Sequence, residues 1–117
     1  MHTELPLVAG PTPMREALLT MSRQGFGVVG VTDGAGVLAG VVTDGDLRRH
    51  MDGLLTLTAA QVMTPAPRTI GPEALAQKAV AVMNERKITS LFVVDPADSR
   101  AAVGLIHIHD CLRAGVA

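Results

Sequence analysis

The chain has 117 residues, 48% of them hydrophobic, 18% charged and 2% aromatic, so its core must be assembled from Val, Leu, Ile, Ala and Met, within the size of one compact body or two small motifs sharing a core. A formal charge of -1, with arginines scattered apart from the Arg48-Arg49 pair, gives no field that would gather nucleic acid and argues against it as a partner. No apolar run approaches the roughly 20 residues of a membrane helix, no basic segment with a following hydrophobic stretch opens the chain, and Cys111 has no second cysteine to pair with, so no membrane association and a reducing, cytoplasmic compartment are expected.

Along the chain, an extended piece around Leu7 and Val8 leads to Pro13, which suits the start of a helix because its missing N–H would find no partner there. Met14, Ala17, Leu18 and Met21 recur at three- and four-residue intervals and make one apolar helix face, which Gly25 ends. VVGV and VLAGVV are short β-branched runs separated by Asp33-Gly34, a hairpin signal. Asp44 to Met51 read as a second helix, with Asp44 as its cap and Arg48, Arg49 and His50 near its end. Residues 52 to 65 connect onward, with a helical turn expected within Leu57 to Met63 before Pro65. Then Leu75, Ala79, Val82 and Met83 share a helix face, LFVV and AVGLI are strands, and Ile108 to Ala114 are the last helix.

These elements are one pattern written twice. A shift of 62 carries Ala17 onto Ala79, Met21 onto Met83, Val31 onto Val93 and Asp33 onto Asp95. The following loop is two residues longer in the second copy, and beyond it a shift of 64 sets Gly104 on Gly40, His107 on Thr43, Asp110 on Asp46 and Arg113 on Arg49. Residues 1–55 and 56–117 are thus two β-α-β-β-α copies of a mixed α/β (α+β) fold. The first shift also lays MHTELPLV over MTPAPRTI, so the chain opens inside a repeat unit, as expected at a boundary within a longer protein. A copy of roughly 50 to 60 residues buries too little surface alone, so the two sheets are expected to pack together with pseudo-two-fold symmetry.

The strand-to-helix junctions GVVTDGD at 40–46 and GLIHIHD at 104–110 resemble the Gly-hydrophobic-x-Thr/Ser-x-x-Asp signature of cystathionine β-synthase (CBS) domains, which occur as tandem pairs called Bateman modules. The second junction departs from it by carrying His107 where Thr or Ser is usual. Phrases such as PMREALLTM, VVTDGDLRR, VMTPAPRTI and VGLIHIHDCLRAGV further resemble the C-terminal regulatory half of the bacterial arabinose-5-phosphate isomerase family, in which a sugar isomerase (SIS) domain precedes the CBS pair. The resemblance implies a regulatory module without catalytic residues of its own. It implies an N-terminal SIS domain in the parent chain and no required cofactor. The implied effector is a nucleotide or nucleotide-sugar, with CMP-Kdo, the activated acidic sugar of lipopolysaccharide, preferred as feedback ligand and AMP or ATP as the alternative. A structural module whose clefts are vestigial is the other reading. A homodimer through CBS helices is expected, with Met14, Met21 and Met83 as adaptable packing surface.

The resemblance also assigns site residues. In CBS domains the Asp accepts from ribose hydroxyls and the Thr or Ser bonds ribose or phosphate, which carries over to Thr43 and Asp46 in the first copy and to His107 and Asp110 in the second. For both aspartates the alternative is simple charge compensation of a helix N-terminus. Arg48, Arg49 and Arg113 either reach a phosphate or sugar carboxylate or balance helix C-termini. Arg68, Lys87, Thr89 and Ser90 precede strands whose ends line the cleft in CBS domains, although Lys87 reads equally as a solvated helix end. His107 and His109 would share a strand face, and Asp110 or Cys111 could complete a metal set. The matching first-copy positions Thr43, Gly45, Asp46 and Leu47 form no such set, so hydrogen bonding to a ligand is preferred for the histidines and Cys111 is read as a core residue.

Overall fold

The structure is a computed structural model that describes residues 5–25, 27–71, 76–86, 88, 90–95 and 101–108. The chain divides into two compact units, Pro6–Pro67 and Arg68–Ala117 with Met1–Leu5. The repeat frame divides the sequence after residue 55, whereas the packed body of the first unit runs on to Pro67 because the connecting segment folds back onto it.

In the first unit, β1 (Leu7–Ala9) is followed by α1 (Met14–Gln24), β2 (Val28–Thr32), β3 (Leu38–Thr43) and α2 (Asp44–Arg49). A single 3-10 turn (Leu54–Thr56), α3 (Ala59–Val62) and β4 (Thr64–Pro65) complete it. The sheet order is β1-β2-β3-β4, with β1 parallel to β2 and the other pairs antiparallel. Pro13 is the N-cap of α1, and Gly25 closes it at φ 73°, a left-handed conformation that glycine adopts without strain, its N–H returning to the Met21 carbonyl at 3.0 Å. The apolar face read from the sequence is the buried one: Met14 and Ala17 are fully buried and Met21 nearly so, packed on Val29, Val31 and Val42. All of Val28 to Val31 is buried, so β2 is covered on both faces, as its unbroken apolar run requires. The three methionines Met14, Met21 and Met83 are therefore core residues and supply no packing surface, because each lies on the helix face turned to its sheet.

The β2–β3 connection is longer than the Asp33-Gly34 pair implied. Asp33 organises it, its Oδ1 accepting from the Ala35 and Val37 N–H groups at 2.8 and 3.0 Å, with Gly36 taking the positive φ of 81°. The connecting segment is also more structured than expected. The short α3 hands its unpaired N-terminal donors to the first loop, Ala59 N–H to the Thr12 carbonyl at 2.8 Å and Ala60 N–H to that of Gly10 at 2.9 Å. Gln61 Oε1 accepts the Thr58 N–H at 2.9 Å. So anchored, α3 delivers β4 alongside β3, with Gly40 opposite Pro65 and Val41 opposite Thr64.

The second unit contains β5 (Thr69–Ile70), α4 (Ala76–Arg86), β6 (Ser90–Asp95) and β7 (Ala101–His107) in a sheet of order β5-β6-β7. Ile108 is helical, and the rest of the expected last helix, with Leu75 of the expected α4 face, lies outside the described residues. Strand register reproduces the sequence repeat. Val8 opposes Val31 as Ile70 opposes Val93, Val31 opposes Gly40 as Val93 opposes Gly104, and both hairpins shift register just after, at Val31/Thr32 and Val93/Val94. Ile70, Ala79, Val82, Met83, Leu91 and Val93 form the helix-packed cluster.

The signature glycine has a steric role. A Cβ on Gly40 would lie 2.5 Å from Met63 Sδ and 2.8 Å from the Thr64 carbonyl oxygen, and the backbone contact cannot be relieved by a rotamer change. Gly40→Ala is expected to lower stability by about 1–3 kcal/mol through overpacking. Gly34→Ala, in a turn where a new methyl meets nothing within 4 Å, should stay within about 0.5 kcal/mol of wild type, with urea denaturation measuring both variants.

Candidate ligand-binding site

The first signature folds around one carboxylate. Thr43 ends β3 in an extended conformation (φ -121°, ψ 174°) and is itself the N-cap of α2, which places Asp44 inside the first turn and not at the cap position read from the sequence. Asp46, three residues on, turns back to that cap. Its Oδ2 accepts from the Thr43 N–H at 2.9 Å and from the Thr43 hydroxyl at 3.1 Å. Its Oδ1 accepts from the Thr64 hydroxyl at 2.6 Å and from the Arg49 guanidinium. Asp46 is only 2% exposed, while the Arg49 side chain reaching it from the surface is 63% exposed.

Burial alone pushes the Asp46 carboxyl up. The hydrogen bonds from Thr64, the Thr43 backbone, Arg49 and the Thr43 hydroxyl outweigh that desolvation and hold its pKa below the ordinary aspartate value. The structure thus brings together Thr43, Asp46 and Arg49, as the sequence reading grouped them, and adds Thr64, which that reading missed. No local spacing links Thr64 to a carboxylate 18 residues earlier. The pairing of β4 on β3 makes the contact. An open groove of about 240 Å³ between α1 and α2, lined by Leu18, Met21, Ser22, Gly25, Gly27, Asp44 and Leu47, does not include this carboxylate.

In the second unit, Ser90 and His107 are cross-strand partners at the ends of β6 and β7, in the register that Val28 and Thr43 occupy in the first. Strand alternation puts both on the face with Phe92 and Leu105, away from Leu91 and Val93 and the α4 side. The Ser90 hydroxyl oxygen is buried without a hydrogen-bond partner among the described residues, where the first copy has an apolar valine. His107 is half-buried and Arg68, just ahead of β5, is exposed. Lys87, Thr89, His109, Asp110, Cys111 and Arg113 lie outside the described residues. Among the described residues no three His, Cys, Asp or Glu side chains gather as a metal set, and no helix is long and apolar enough to cross a membrane.

The CBS domain family model matches twice, over residues 1–53 and 59–117. The chain belongs to the CBS domain family. Among relatives, this CBS pair is 46% identical over 115 residues to the arabinose 5-phosphate isomerase KdsD of Pseudomonas aeruginosa, a match covering 96% of this chain and 35% of that protein. It thus spans about a third of the length of the curated relatives it matches. Among solved structures, a protein with CBS domains from Burkholderia ambifaria superposes with a TM-score of 0.83 at 24% identity, covering 97% of this chain and 84% of the other. CBSX2, solved in complex with AMP, superposes with a TM-score of 0.81 at 24% identity, covering 99% and 92%. At these identities the two structures establish the fold of the pair.

The lowered Asp46 pKa has a signed consequence. The unfolded chain takes up the proton first as acid is added, so the stability contributed by Asp46 is complete above the ordinary aspartate range and is lost as pH falls through its lower folded-state value. Asp46→Asn should therefore cost about 2 kcal/mol near pH 7 and progressively less as the pH is lowered below the ordinary aspartate range. Urea denaturation across that range measures the gap, and a gap that does not narrow with acid would contradict the assignment.

Proposed function

We propose that this CBS pair is the regulatory module of an arabinose-5-phosphate isomerase, binding a nucleotide or nucleotide-sugar and reporting its occupancy to an SIS domain in the same parent chain. The observation that carries this reading is the similarity to KdsD, which spans nearly all of this chain and only about a third of the relative, leaving the relative room for a further domain. CMP-Kdo is the preferred effector, since the cytidylated product downstream of such an isomerase suits feedback, and AMP or ATP is the alternative. The AMP complex of CBSX2, which shares the fold, supports the nucleotide class.

Within the second copy, Arg68, Lys87, Thr89, Ser90, His107, His109 and Asp110 are the proposed contacts. Cationic and hydroxyl groups there suit an anionic nucleotide-sugar, and a neutral or charged imidazole at His107 serves where the first copy offers the Thr43 hydroxyl. The buried Ser90 hydroxyl supports this placement. A buried hydroxyl with no partner among the described residues is destabilising if left so, and a ligand polar group would satisfy it.

A structural role in assembly is the second reading. It is favoured by the exposed apolar side chains Leu19, Met51 and Leu55 in the first unit, which suit a homodimer through CBS helices.

Titration calorimetry and thermal shift with CMP-Kdo, AMP, ATP and arabinose 5-phosphate in turn discriminate the readings. CMP-Kdo at about a hundredfold its Kd should stabilise the pair by about 2.7 kcal/mol. Heat from AMP or ATP alone would move the assignment to an adenine-nucleotide sensor, and heat from none of the four would leave the assembly role. Ser90→Ala should leave the free protein as stable as wild type or more so, while weakening effector binding by about 1 kcal/mol, or roughly fivefold in Kd. Unchanged affinity would remove Ser90 from the site.

A further inference from the structure

An ionised carboxylate offers about four lone-pair positions, and all four at Asp46 are taken by its own chain. Two donors come from Thr43, one from Arg49 and one from Thr64. A ligand diol donating to this carboxylate must displace one of them. The Thr43 N–H is fixed at the junction of β3 and α2, where its departure would undo the helix start. Thr64 is held differently. It is exposed, sits on a strand of two residues, and places its hydroxyl 2.6 Å from Oδ1.

We infer that Thr64 is the specificity-determining residue at the first signature: its hydroxyl holds the acceptor a ligand hydroxyl would take, so the first signature is shut by its own chain and the nucleotide is taken at the second. The inference rests on the reading of the pair as a nucleotide-binding module. The sequence repeat does not copy the device. A shift of 62 sets Thr64 against His2, and Thr43 corresponds to His107, so neither hydroxyl that donates to Asp46 has a hydroxyl at its repeat-equivalent position.

Titration calorimetry of CMP-Kdo and of AMP, both of which carry a ribose cis-diol, into wild type, Thr64→Val and Thr64→Ser tests it. Wild type should take one equivalent per chain of the ligand it binds. Thr64→Val, nearly isosteric at an exposed position, should take a second with affinity at least tenfold above any second event in wild type, and Thr64→Ser, which restores the hydroxyl, should return to one. Circular dichroism verifies that each variant is folded, and Thr64→Ala replaces Thr64→Val should the latter not fold. Two equivalents in wild type, or one in the folded Thr64 variant, would overturn this inference while leaving nucleotide binding intact. No binding of either ligand to any of the proteins would overturn both.

Discussion

A carboxylate removed from water must be given donors, and the donors that Asp46 gathers tie the first unit together. Thr43 contributes from the last residue of β3, Arg49 from the end of α2, and Thr64 from β4, which the chain reaches only after the 3-10 turn and α3. Each partner constrains the backbone that carries it. The Thr43 N–H would otherwise be unpaired where the strand becomes a helix, and Thr64 can arrive only if β4 lies tight on β3, which the absent side chain of Gly40 permits. The Gly, Thr and Asp of the signature thus describe one local object: a close backbone approach, a helix start and the charge that joins them.

The two copies share their frame and differ in what stands at its ends. Equivalent strand registers, with the register shift at the same place in each hairpin, show that backbone geometry follows the sequence repeat. Where the first copy sets Val28 across from Thr43, the second sets Ser90 across from His107. The first pair leads into a carboxylate satisfied within the chain, and the second includes a buried hydroxyl without a described partner. Geometry is held in common while the polarity at the strand ends diverges, so the duplicated fold keeps its core as its end residues change.

Much of this was legible residue by residue. The three- and four-residue spacing of Met14, Ala17 and Met21 identified the buried face of α1, and the unbroken apolar run of VVGV marked a strand covered on both sides. Gly25 stops α1 for the reason read from its type. What escaped was non-local or turned on a boundary of one residue. The cap of α2 is Thr43 and not Asp44, since either residue type can cap and only the backbone conformation chooses. The methionines taken for packing surface are core, because a flexible apolar side chain reads alike in either place. β4 has two residues, Thr64 and Pro65, too short for any periodicity to reveal.

The sequence by itself determined the repeat, the buried helix faces and the hairpin strands of each copy, the family signature and the residue types available at each strand end, because these depend on local pattern and on comparing one half of the chain with the other. Only the tertiary structure decided how the first signature spends its charge. Asp46 meets Thr64, 18 positions further along the chain. Such a contact is set by sheet pairing, by a glycine that lets two backbones approach and by the cost of leaving a buried carboxylate short of donors, none of which is written at the positions it joins.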